Sequence, residues 1–108
     1  MSDENQIEIA QSFIALHVRP GRSQPDASHA LVLARYEQCE DMAQALVLHA
    51  RNWAFKENLP EQEILLRCHQ GLLADASGFS APEAGWVISR LAELLDWPLA
   101  QFVSPGTA

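Results

Sequence analysis

Val32, Tyr36, Cys39, Ala43, Leu46, Ala50 and Trp53 follow one another in alternating steps of four and three, an unbroken line over three heptads. That spacing draws one apolar seam along a helix. A strand cannot use it, because strand faces alternate every second residue. The seam predicts a helix over about 28–57, with Asp26 or Ser28 placed to cap its start. Asn58-Leu59-Pro60 closes it, since the residue before a proline is pushed out of the helical region. Such a helix is more than twice the usual length of about 11–12 residues. Leu31, Val47, Leu48 and Phe55 lie largely off the seam. The seam is therefore either core or the contact between two copies. Apolar residues on several sides of one helix predict a homodimer through it.

Two shorter helices follow. Over about 61–74, Ile64, Leu65, Cys68 and Leu72 form an apolar stripe, and Glu61 and Glu63 sit at the positive N-terminal end. "DASG" (75–78) closes this helix, with Gly78 free to take a left-handed conformation. "SAPE" (80–83) opens the next, over about 81–96: Ser80 caps, Pro82 lies in the first turn and Glu83 completes a capping box. Ala84, Val87, Leu91 and Leu94 make its inner face before Trp97-Pro98 stops it. Leu99, Phe102 and Val103 are expected to tuck against the bundle.

Upstream, "IEIAQSFIALHV" (7–18) carries Ile7, Ile9, Ile14, Leu16 and Val18 in near alternation, which predicts an extended segment with one buried side. Pro20-Gly21 fits the middle of a type II turn. The expected fold is all-α: a long first helix with two shorter helices packed on it, plus an extended N-terminal arm. Residues 1–25 form the arm and turn, and 26–108 a single helical domain.

A net charge of −7 opposes nonspecific binding to nucleic acid or to an anionic membrane, because both require attraction to phosphate. The acidic opening "MSDENQIEIA" is unlike a signal peptide, and no apolar run approaches a membrane span. The expectation is a cytoplasmic chain whose two cysteines stay reduced.

"EILLRCHQGLL" (63–73) is the most chemical-looking stretch, with Cys68 beside His69. Adjacent residues on a helix point about 100° apart, so the two cannot act on one another as nucleophile and base. Cys68 lies between Leu65 and Leu72, and Cys39 between Tyr36 and Ala43, which makes core the expected role of both thiols. A redox pair between them is the sharper alternative. Gly71, with no side chain, marks a spot for the close approach of another helix.

His17, His29, Cys39, His49, Cys68 and His69 contain no zinc spacing of the C-x₂₋₄-C or H-x₃₋₅-H kind, so no metal is expected. His49 borders the seam, as an edge residue or a proton-sensitive contact. Glu37, Glu40 and Asp41 read as a solvated acidic face, with cation binding or acid–base work as the alternative. Nothing reads as a phosphate loop or a nucleophile elbow, so there is no ATP-binding motif and no cofactor is expected.

The blocks "SFIALHVRPGR", "ARYEQCEDMAQ", "RCHQGLL" and "EAGWVISRLAELLDW" resemble a small family of uncharacterised bacterial proteins sometimes labelled "ATPase with chaperone activity". Without a Walker A motif, what the resemblance implies for this chain is association with such a machine. It carries over no catalytic residue.

These readings point to a non-enzymatic protein-interaction module, an adaptor or regulatory protein acting as a homo-oligomer. Its candidate interface is the seam of Val32, Tyr36, Cys39, Ala43, Leu46, Ala50 and Trp53. The alternative is a small-ligand or metal-binding sensor built on Tyr36, His49, Cys68 and His69.

Overall fold

Ser28 does cap the long helix: its Oγ accepts from the backbone N–H of Leu31 at 3.2 Å, and helical structure begins at the next residue. The structure, a computed structural model, describes residues 8–22, 24–25 and 27–98. Asp26, Ile7 and the Leu99, Phe102 and Val103 expected to tuck against the bundle lie outside the described residues. Among the described residues there are four α-helices: α1 (Gln11–Ile14), α2 (His29–Lys56), α3 (Glu61–Leu73) and α4 (Ala81–Leu95). Single 3₁₀ turns follow α1 at Ala15–His17 and α3 at Asp75–Ser77. The described residues include no strand, and the fold is all-α. The chain divides into two compact units, 1–37 and 38–108, with the boundary inside α2.

In the first unit, the arm is helical at its centre rather than extended throughout. The alternation that suggested a strand changes parity between Ile9 and Ile14, so no single strand face could collect both sets. A helical turn at Gln11–Ile14 interrupts the alternation, and Ile9 just before it and Phe13 within it are both buried. Phe13 meets Tyr36 of α2 edge-on, with ring centroids 5.4 Å apart and planes at 65°, and His17 at 5.2 Å. The arm therefore docks on the opening turns of α2 in its own chain. Gly21 takes φ +83°, as the Pro20-Gly21 turn requires, and Arg22 N–H donates to the Arg19 carbonyl at 3.0 Å.

In the second unit, α3 and α4 pack on one another. Ile64, Leu65, Cys68 and Leu72 from α3 and Ala84, Val87, Ile88, Leu91 and Ala92 from α4 are buried, together with Cys39, Ala43 and Ala50 of α2. The small residues on the α2 side leave room for the branched side chains of its neighbours. The Ser77 hydroxyl donates to the Leu72 carbonyl and accepts from Phe79 N–H, so it finishes one helix and sets the approach to the next. At the start of α4 the capping box is complete: Glu83 N–H donates to Ser80 Oγ at 3.2 Å and Ser80 N–H to Glu83 Oε1 at 3.0 Å. α4 ends at Asp96, which takes φ 60°. Trp97 N–H reaches back to the Ala92 carbonyl and Asp96 N–H to that of Glu93, a Schellman arrangement with aspartate where glycine is usual.

Candidate functional site

The heptad seam is divided between core and half-buried positions. Val32, Cys39, Ala43 and Ala50 are buried by the chain itself, and Tyr36, Leu46 and Trp53 are half-buried. Of the two roles open to the seam, core is the one its buried positions fill. A second copy has no access to them.

The opposite side of α2 is different. Leu48 lies nine residues from Cys39, which turns it about 180° around the helix axis. It is 67% exposed, and Phe55, one heptad further on, is 87% exposed. Large apolar side chains left in water on one line of a helix are more informative than scattered ones. Asp41, Gln44, Leu48, Arg51 and Phe55 continue that line in steps of three and four, and all five are exposed. Leu31 in the first unit and Leu73 at the end of α3 are exposed as well.

Polar side chains tie the second unit together around these faces. Arg90 of α4 grips Glu40 of α2 in a two-pronged pair, Nε to Oε1 at 2.9 Å and Nη2 to Oε2 at 3.1 Å, and also reaches Glu93. The Arg90 hydrogen bond holds the Glu40 carboxyl below its ordinary pKa against a desolvation that raises it, and a bond from Gln44 adds to the lowering. Reciprocally, Glu40 raises the pKa of Arg90. Glu40 is thus a structural partner of Arg90, not a free member of an acidic site. Sequence reasoning did not single out Arg90; its partner lies fifty residues away, beyond any local spacing rule. Trp53 carries His49 against its ring at 4.3 Å and the Arg67 guanidinium at 5.8 Å, while Arg67 pairs with Glu63 at 3.0 Å. Such a cation–π contact is worth about 0.5–1 kcal/mol at an exposed site.

The sensor residues sit in unlike surroundings. Tyr36 packs on Phe13 in the first unit. In the second unit His49 is exposed on Trp53, Cys68 is buried on the inner stripe of α3 and His69 is half-buried beside it. Burial pushes the Cys68 thiol up to about 11 and lowers the pKa of His69. At neutral pH this favours the thiol over the thiolate, the opposite of what a nucleophile needs. Both cysteines are free and buried. Native protein at pH 8 is expected to react with a thiol reagent about a hundredfold or more slowly than protein in denaturant. One thiol reacting at the denatured rate would contradict its core placement. Among the described residues no cluster of three histidine, cysteine, aspartate or glutamate side chains is arranged to hold a metal ion. Gly71 is exposed, and a Cβ built there would meet nothing within 4 Å among the described residues. No described helix is long and apolar enough to cross a membrane. Comparisons with protein-family models, curated proteins and solved structures gave no match.

Proposed function

We propose that this chain is a non-enzymatic helical interaction module, an adaptor or regulatory protein that acts as a homo-oligomer in the cytoplasm. The observation that carries the reading is the exposure of Leu48 and Phe55 on the side of α2 that faces away from the buried seam. Leaving two large apolar side chains in water forgoes roughly 1.5–3 kcal/mol apiece, a gain that a partner surface can supply. The net charge of −7 favours a protein over nucleic acid or an anionic membrane as that surface. Two free thiols suit a reducing compartment. The family resemblance makes a chaperone ATPase the first partner class to test beyond the chain itself.

Sedimentation velocity from about 10 to about 500 µM is the direct experiment, since a modest helix face supports a dissociation constant in that range. A concentration-dependent dimer is expected. A strictly monomeric chain across the whole range overturns the homo-oligomer reading.

A further inference from the structure

We propose that the second copy covers the outer line of α2 in an antiparallel arrangement, with Asp41 of each copy against Arg51 of the other. The inference rests on the self-association reading above and adds its face, direction and register. Asp41, Gln44, Leu48, Arg51 and Phe55 form a continuous three-four stripe, the spacing with which two helices interlock. Its apolar members are the exposed Leu48 and Phe55. Its charged members are one acid at the N-terminal end and one base ten residues later. Both are exposed, and among the described residues neither makes an ion pair. This contrasts with Glu40, which lies one position from Asp41 and is held by Arg90.

Charge order selects the direction. A parallel pair would stack Asp41 on Asp41 and Arg51 on Arg51, and like charges across an interface oppose association. Reversing one helix about a two-fold axis level with residue 46 sets Asp41 opposite Arg51 twice, by symmetry. In the same register Gln44 of each copy faces Leu48 of the other, as the two lines of an antiparallel pair should. Each Phe55 then lies level with the other copy's Glu37, about one helical turn beyond its Asp41, at either end of the contact.

Charge swapping on the full chain tests this. D41R and R51E, each alone, are expected to weaken the dimer about tenfold in sedimentation velocity, since each turns two attractive pairs into two repulsive ones. The double variant D41R/R51E re-forms both pairs with the charges exchanged and is expected to return to within about threefold of wild type. Both sites are exposed, and circular dichroism checks that the helices are retained. Singles that dimerise like wild type, or a double variant no tighter than the singles, overturn the arrangement while leaving self-association standing. A wild-type chain that never dimerises overturns both.

Discussion

Replacing Phe13 with alanine is expected to destabilise the protein by about 3–5 kcal/mol, the range for truncating a buried aromatic. Phe13 has no solvent exposure. It is held on two sides by rings, Tyr36 edge-on and His17 tilted. Its removal forfeits the transfer free energy of the ring, leaves a cavity and deletes an edge-to-face contact worth about 0.5–1.5 kcal/mol. Against a total stability of about 5–15 kcal/mol, that loss lowers Tm by on the order of 15 °C. Thermal unfolding followed by circular dichroism measures it. Phe13→Leu should lose much less, because it keeps most of the volume and gives up mainly the ring geometry. An alanine variant melting within about 3 °C of wild type would mean that the arm contributes nothing to the first unit.

The second large effect is expected at Leu91. It is fully buried on the inner face of α4, among Val87, Ile88 and Ala92. Leu91→Ala should cost about 2–5 kcal/mol, with the value set by how far the neighbours collapse into the space. In urea this appears as a midpoint lowered by about 1–2 M with little change in slope. Leu94, only three residues away, is half-buried, and its alanine variant should lose well under half as much. If Leu94→Ala shifted the midpoint as far as Leu91→Ala, the inner face of α4 would have been assigned to the wrong side of the helix.

Both effects depend on helix faces, and faces were legible in the sequence to different degrees. On α3 and α4 a single apolar stripe is set against polar residues, so reading the spacing of Ile64, Leu65, Cys68 and Leu72 was enough to find the buried side. On α2 it was not enough. That helix carries apolar residues on opposite faces, and spacing alone left the seam as either core or a contact between copies. The arm failed for a related reason: period two and a single helical turn compete over so short a segment, and Phe13 was the residue that decided it. Glu40–Arg90 and Trp53–Arg67 were illegible, because a charge or a ring in a sequence does not announce a partner on another helix.

The sequence by itself determined what is settled within one helical turn. The capping box at Ser80 and Glu83, the left-handed glycines at 21 and 78, and helix limits agreeing to within a residue or so all depend on neighbours at most about four positions away. Only the tertiary structure decided which side of α2 is covered. That choice is made by residues far along the chain: Ile64, Leu65, Val87 and Leu91 join Cys39, Ala43 and Ala50 in one buried core, whereas Leu48 and Phe55 remain in water. Hydrophobic burial is non-directional and follows the area removed from water, so a local pattern can offer a face, but only distant segments can occupy it.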